Sequence, residues 1–363
     1  VAGQIGEAFV DGKPQRLHVE LHRTAHPQHK LDLRGVLLRQ SRERLGVHRD
    51  VNRLIALAAF ERFPAGGKLE TALLERGELT ARVHLFPTLT GDMGRFETMR
   101  ALYTGPCLQA TGFKQFFDGV SSQHTAWVHD PYTNARFEGD CGRPTVGAEV
   151  MEALVAPAAD EGSPVRIHAI GDEAIHRCLD IFEAYPVAAP AHHTIEHLEN
   201  FQPDDIARLA RADVIASVQP RHITLDPGGP ERDLGPERVP YMWPFRTLLD
   251  SGATLAFGTD SPVTDIDPID AVYTAVTRRD ADTHEPLGGW LPEERITLAE
   301  ALRAYTAGSA AAAQREGELG QLAPGMFADI VVLDPNPFEL APEDIQQAKV
   351  QATYVAGKKV YER

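Results

Sequence analysis

The chain of 363 residues has no long hydrophobic run and few cysteines. No stretch approaches the ~18 apolar residues of a membrane-spanning helix, so we expect a soluble protein without a membrane partner. The three cysteines, Cys107, Cys141 and Cys178, are widely spaced and odd in number. This pattern disfavours a disulfide framework and favours a reducing, cytoplasmic compartment.

Basic residues are scarce relative to acidic ones. The 36 lysines and arginines are outnumbered by 52 aspartates and glutamates, which gives a net charge of −16. Such a surface repels nucleic acids and anionic membranes. We therefore expect a small-molecule substrate, and the sequence leaves open whether the chain is a monomer or a homodimer.

Three short apolar runs each end in a side chain that can bind a metal. The runs end at His168, His197 and Asp260, and a helix-like segment follows each one. His168 and His197 are 29 residues apart, close to the roughly 31 residues per unit of a barrel with eight β/α units. Asp260 lies about two units further on. Because parallel barrel strands end on one face, the spacing predicts that these side chains meet at one barrel mouth.

The remaining pattern is that of an α/β protein with a parallel sheet. The third to eighth barrel strands are predicted near residues 81–90, 113–118, 165–170, 193–198, 214–219 and 254–260. Helices are predicted at 146–156, 173–184, from Pro203 onward, and along the alanine-rich run 301–314.

The C-terminal residues predict a second, smaller unit. Residues 328–334 and 352–361 are typical of strands, with a hairpin turn at Gly357. The predicted domains are 1–38 and 316–363, which together form a small β-sandwich, and 39–315, which forms the barrel.

Several strings between Glu78 and the C-terminus carry a family resemblance. They are Lys114-Gln-Phe-Phe-Asp118-Gly119, Thr125-Ala-Trp127, His168-Ala-Ile-Gly-Asp172, Ile195-Glu196-His197, Ser217-Val-Gln219-Pro-Arg-His222 and Gly258-Thr-Asp260-Ser-Pro262. With these strings the chain resembles the YtcJ-like branch of the amidohydrolase superfamily, which is related to N-substituted formamide deformylase. The resemblance implies a (β/α)8 TIM-type barrel, with a small β-sandwich to which residues 7–21 and 30–37 also contribute.

The resemblance also implies a metal-dependent hydrolase. In that superfamily the fifth and sixth strands each donate a histidine, the eighth an aspartate, and the fourth often a carboxylated lysine. These roles fall on His168, His197, Asp260 and Lys114. A carbamate is an anionic two-oxygen donor, whereas an ammonium would repel a cation. Imidazoles and carboxylates suit zinc, so we expect one or two zinc ions.

Further roles follow for neighbouring residues. Asp260 would also transfer the proton during hydrolysis, and His222 would hydrogen-bond the substrate or be a surface histidine. Asp172 would orient its neighbours or cap the next helix. Trp127 and Gln219 are predicted to line the substrate pocket or support the ligands.

One element of the family pattern is not found. The family's first strand ends in a His-x-His pair that completes the more buried metal position, and this chain contains no His-x-His. The family-like lead-in ends at Leu38 and is followed by a polar, helix-like segment. We therefore expect a break or a barrel gap between Leu38 and Leu57, with the barrel incomplete at strands one and two.

The predicted activity is hydrolysis of a C–N bond in a small amide or formamide by metal-activated water, with a deaminase of the same superfamily left open. The competing prediction is a catalytically impaired or non-catalytic barrel that binds a metal or a small ligand. Weak or absent hydrolysis is expected if the His-x-His segment is truly missing, because a mononuclear site positions its water less well.

Overall fold

A computed structural model describes residues 8–10 and 13–15 and residues 73–363. The chain divides into two units, 1–47 and 48–363. In the first unit, β1 (Ala8–Val10) and β2 (Lys13–Gln15) pair as an antiparallel hairpin. The predicted break between Leu38 and Leu57, the first two barrel strands and the pairing of residues 7–21 and 30–37 with the tail lie outside the described residues.

Between residues 83 and 257 the second unit contains eight strands, of which the short second one is antiparallel and is not a barrel strand. They are β3 (Val83–Leu85), β4 (Thr104–Gly105), β5 (Leu108–Ala110), β6 (Phe113–Phe116), β7 (Val165–Ala169), β8 (Thr194–His197), β9 (Ile215–Val218) and β10 (Leu255–Phe257). Strands β6 to β10 form a parallel sheet in chain order. All six predicted strands, third to eighth, are confirmed.

Strand β3 joins this sheet through β5 and β6, which follow each other along the chain as one strand interrupted between Ala110 and Phe113. It pairs in parallel with β5, and a parallel bridge from Thr88 to Lys114 continues the pairing to β6. Between β5 and β6, Gly112 packs so closely on the carbonyl of Pro164 that a Cβ would clash with it. The short antiparallel β4 covers the other edge of β5.

Helices follow the strands, as expected for β/α units. They are α1 (Met93–Leu102), α2 (Ala148–Asp160), α3 (Asp172–Ala184), α4 (Ile206–Arg211), α5 (Gly229–Asp233), α6 (Phe245–Asp250), α7 (Pro268–Thr277), α8 (Leu298–Arg303) and α9 (Ser309–Ala312). Helix α3 buries Ile175, Leu179 and Phe182, the apolar stripe expected of a helix that packs on a sheet. No helix among residues 73–363 has both the length and the apolar character needed to span a membrane.

The alanine-rich run differs from the single helix predicted over 301–314. It is divided into α8, a π-helical turn at Ala304–Gly308, and α9. Gly308 packs on the carbonyl of Leu255 in β10, where a Cβ would clash, and the Ser309 hydroxyl donates to the carbonyl of Phe257 at 2.9 Å. The predicted helix is therefore present as far as Ala312, but it contains a π-helical turn where it lies close to the barrel wall.

The tail forms an antiparallel sheet in the order β11 (Ile330–Asp334), β12 (Lys349–Val355) and β13 (Lys358–Glu362). The predicted hairpin is confirmed, and its turn residues Ala356 and Gly357 both have positive φ. Inside unit 48–363, a buried ion pair between Arg82 and Asp329, 2.6 Å apart, connects the tail to the residue before β3. The domain boundaries at 38/39 and 315/316 stay a prediction.

Candidate active site

Lys114 lies in β6 with its side chain inside the barrel. It is buried beside Phe116, and its Nζ lies 5.0 Å from the centre of that ring. Burial lowers the pKa of Lys114 to about 8; Glu196 acts in the opposite direction and Arg166 in the same one. Lys114 is thus buried rather than exposed to solvent, and its role as a metal ligand stays a prediction.

His168 occupies the same face of the neighbouring strand, because Phe116 and His168 are register partners and Lys114 pairs with Arg166. Its Nε2 donates to the carbonyl of Gly119 at 3.1 Å and lies 3.6 Å from Oδ1 of Asp118. Burial lowers the pKa of His168 to about 3, and the Lys114 cation adds to the effect. The ring is therefore neutral at pH 7, as a metal ligand must be.

His197 lies next to His168 because the regular alternation of β8 ends at this residue. Its neighbour Glu196 is the register partner of His168, so a regular strand would direct His197 to the opposite face. A φ of 77° at His197 and 53° at Leu198 turns the chain instead. The imidazoles of His168 and His197 then lie 4.3 Å apart, centre to centre. Positive φ in such residues is strained and is often found at functional sites.

Asp260 follows β10 and also has a positive φ, 53°. Its Oδ2 lies 4.0 Å from Nε2 of His222, which occupies the 3-10 turn Pro220–Thr224 after β9. Burial raises the pKa of Asp260, while His222 lowers it. The structure thus brings Asp260 and His222 together, at the ends of adjacent strands.

Glu199 is a member of the cluster that the sequence analysis did not identify. One donor atom each from His197, Glu199 and His222 lie within 4.8 Å of one another, and Nδ1 of His222 is 3.6 Å from Oε1 of Glu199. Two imidazoles and a carboxylate form a common zinc donor set. The spacing His197-Leu-Glu199 was the available indication, but it places both side chains together only because of the turn at His197.

The other residues predicted near the site make hydrogen bonds around it, and their roles stay predictions. Asp172 accepts from the backbone N–H groups of His129 and Glu173, at 2.9 and 3.1 Å, and so holds a loop at the start of α3. The backbone N–H of Trp127 donates to Asp118 at 2.9 Å. Gln219 is buried at the end of β9 and donates from Nε2 to Oε2 of Glu196 at 3.1 Å.

Asp118 organises this surrounding structure. Its carboxylate accepts from the backbone N–H groups of Ile170 and Gly171, at 3.0 and 2.8 Å, as well as from that of Trp127. Burial raises its pKa to about 7 against these hydrogen bonds. Asp118 thus joins the loop after β6 to the end of β7, beside His168.

The cluster fits a divalent metal. Nε2 of His222 is buried and has no hydrogen-bond partner among residues 73–363. Burial also holds the pKa of His197 well below its usual range. The imidazole nitrogens of His197 and His222 and the carboxylate of Glu199 therefore meet at one point, which is the chemistry a divalent cation requires.

Comparison with known proteins matches residues 50–361 to the amidohydrolase family. The chain belongs to this family. It is 29% identical over 322 residues, 88% of its length, to the putative amidohydrolase YtcJ of Bacillus subtilis. It is 30% identical over 226 residues, 58% of its length, to N-substituted formamide deformylase of Arthrobacter pascens. The predicted YtcJ-like membership is confirmed.

The fold is also similar to that of a solved metal-dependent hydrolase. An uncharacterised metal-dependent hydrolase from Pyrococcus horikoshii superposes with a TM-score of 0.66 at 28% identity, over 76% of this chain and 55% of its own. The alignments cover 58% of the YtcJ chain and 39% of the deformylase. This amidohydrolase chain therefore spans about two to three fifths of the length of the curated relatives described here.

Proposed function

We propose that the chain is a metal-dependent amidohydrolase that hydrolyses the C–N bond of a small amide or formamide. The carrying observation is that His168, His197, His222 and Asp260 converge at the ends of four adjacent parallel strands, although they are distant in sequence. Active sites of such barrels lie at this face. Membership of the amidohydrolase family supports the reaction class, and the name of the Arthrobacter relative supports a formamide.

In this proposal His168, His197 and Asp260 hold the metal, with Lys114 as a carboxylated fourth ligand. Zinc is the metal that suits these donors, as one or two ions. His197, Glu199 and His222 form an overlapping set that could hold the same ion or a second one. The bound metal would activate water and polarise the substrate carbonyl.

Asp260 and His222 would carry the proton transfers. Oδ2 of Asp260 takes the proton that water loses as its oxygen attacks the carbonyl carbon. The C–N bond then breaks, and the same proton passes to the leaving nitrogen, so that an amine and a carboxylic acid are released. In the state in which His222 is not a metal ligand, its Nε2–H, 4.0 Å from Oδ2 of Asp260, would donate to the carbonyl oxygen as negative charge develops there.

A panel of N-formyl and N-acyl amines, assayed with the zinc-loaded chain, tests this proposal. Hydrolysis that requires zinc and is lost in His168→Asn would support it. Stoichiometric zinc binding without hydrolysis of any panel member would favour the competing proposal of a non-catalytic barrel. Failure to bind zinc, cobalt or manganese would reject the metal site.

We propose a cytoplasmic location and a small-molecule substrate, with no nucleic-acid or membrane partner. Cys107, Cys141 and Cys178 are all free thiols, which supports a reducing compartment. The assembly state, monomer or homodimer, is decided by sedimentation of the full chain.

A further inference from the structure

Phe116 is an exposed aromatic residue at the mouth of the barrel. It is the last residue of β6 and is 44% exposed, whereas Phe113 and Lys114 in the same strand are buried. Its ring centre lies 5.0 Å from Nζ of Lys114 and 5.2 Å from the centre of the His168 ring. The ring therefore borders the proposed site, unlike the isolated apolar side chains that are common on outer protein surfaces.

Hydrogen bonds fix the backbone on both sides of this ring. The N–H of Phe116 donates to Oε1 of Gln115 at 2.9 Å, and the hydroxyl of Thr145 donates to the carbonyl of Phe116. The N–H of Phe117 donates to the carbonyl of His168, also at 2.9 Å. The ring is therefore attached to a rigid strand end, and a ligand that covers it orders little of the protein on binding.

Phe116 also lies at one end of a row of side chains that follows the order of the strands. The rings of Phe116 and His168 are in contact, and those of His168 and His197 are 4.3 Å apart, centre to centre. The ring of His222 follows 5.8 Å from that of His197. Oδ2 of Asp260 is 4.0 Å from Nε2 of His222 and completes the row. Phe116, at the end of β6, and Asp260, after β10, are thus at opposite ends.

This row gives a bound substrate a direction. In the proposed reaction Asp260 passes a proton to the leaving nitrogen, and His222 donates to the carbonyl oxygen. The three substituents of a planar carbonyl carbon point away from one another. When the nitrogen and the oxygen face the ends of β9 and β10, the third substituent, which is the acyl side chain, faces β6 and Phe116.

We propose that Phe116 is a specificity-determining residue that packs against the acyl side chain of the substrate, so that the site prefers amides of short apolar acids to formamides. The inference rests on the proposed function, because the reaction sets the direction of the substrate. Each methylene group that covers the ring removes apolar surface from water and stabilises the complex. A formyl group has no carbon at this position and makes no such contact.

The test is a series of amides of one amine, from N-acetyl to N-pentanoyl, assayed with the zinc-loaded full chain. In the parent chain kcat/KM should rise about two- to fourfold with each methylene group. In Phe116→Ala it should be nearly independent of acyl length, and Phe116→Leu should keep most of the increase. Phe338→Ala is the control: Phe338 is a 63% exposed residue of the tail, and its loss should leave the whole increase in place.

Equal kcat/KM along the series in the parent, or the same increase in Phe116→Ala, would overturn the inference and leave the hydrolysis itself established. A dependence on the length of the amine substituent that Phe116→Ala removes would overturn it as well, because the substrate would then lie in the opposite direction.

A binding measurement separates this inference from the proposed function. If no amide is hydrolysed, the proposed function fails, whereas the contact can still be measured by titrating pentanamide into the metal-free full chain. The aromatic NMR signals that Phe116→Ala removes should shift more with pentanamide than with acetamide. Equal shifts with the two amides would overturn the contact.

Discussion

The barrel strands and the strands of the tail differ in which residues they bury. Every residue of β7 and β8 is buried, including Arg166, His168 and Glu196. In β11, by contrast, Val331 and Val332 are exposed. Parallel strands are covered on both faces, whereas an antiparallel sheet can leave one face in solvent. A polar residue buried in a barrel strand therefore indicates a bonding partner or a function, because burying a polar group without a hydrogen-bond partner costs free energy.

The largest expected effect tests whether the residues at the barrel mouth catalyse the hydrolysis. Asp260→Asn should lower kcat/KM for the best amide substrate by about a thousandfold, because the amide cannot take up the proton. Zinc held by the histidines should be largely retained, as measured by metal content per chain. Asp265→Asn, on the same loop but exposed, is the control and should leave both quantities unchanged. Full activity in Asp260→Asn would remove Asp260 from proton transfer.

The next effect concerns packing within β8. Ile195 is fully buried between sheet and helices, so Ile195→Ala should lower the free energy of unfolding by about 2–5 kcal/mol through lost burial and a residual cavity. Urea unfolding of the variant and the parent chain measures the difference. A loss below ~1 kcal/mol would show that the barrel wall relaxes around the missing atoms.

A pH-dependent effect is expected at the entrance to β8. His193 accepts from the N–H of Val165 through Nδ1 and donates from Nε2 to the carbonyl of Tyr185, both at 3.0 Å, so the fold requires its neutral form. Burial lowers its pKa to about 4. Its contribution to stability is therefore complete above pH ~6.5 and is lost as the pH falls toward 4, an effect of about 2–3 kcal/mol.

His193→Phe provides the measurement for this effect. The variant should be less stable than the parent at pH 7.5, because the N–H of Val165 loses its partner. The difference in the free energy of unfolding between the variant and the parent should be smaller at pH 4.5. At that pH the neutral His193 ring of the folded parent is less favoured, because the unfolded chain binds a proton there. Parallel stability curves for the two chains between these pH values would contradict the assignment.

The smallest effect is expected in the tail. Val332→Ala in β11 removes a side chain that is 43% exposed, so the free energy of unfolding should change by only about 0.5 kcal/mol. Urea unfolding alongside Ile195→Ala makes the comparison direct. A loss as large as that of Ile195→Ala would mean that this face of the tail is covered.

These regions also differ in how far the sequence predicts them. The barrel strands were predictable because they are short apolar runs, three of which end at or near a proposed ligand, and the order of β6 to β10 follows the chain. The place of Glu199 in the site could not be predicted from the sequence, because it depends on the positive φ of His197 and Leu198. The π-helical turn could not be predicted either, because it depends on the contact of Gly308 with Leu255, 53 residues away in sequence. Local patterns do not record such contacts.

The chain order of β6 to β10 has a consequence for synthesis. Each of these strands pairs with the one made just before it. Domains acquire structure as the N-terminal parts emerge first, so Lys114, His168 and His197 can be brought together while β10 is still inside the ribosome. Asp260 is then the last of the four to arrive. We expect a nascent chain that ends before Asp260 to hold a metal through its histidines without being able to turn over a substrate.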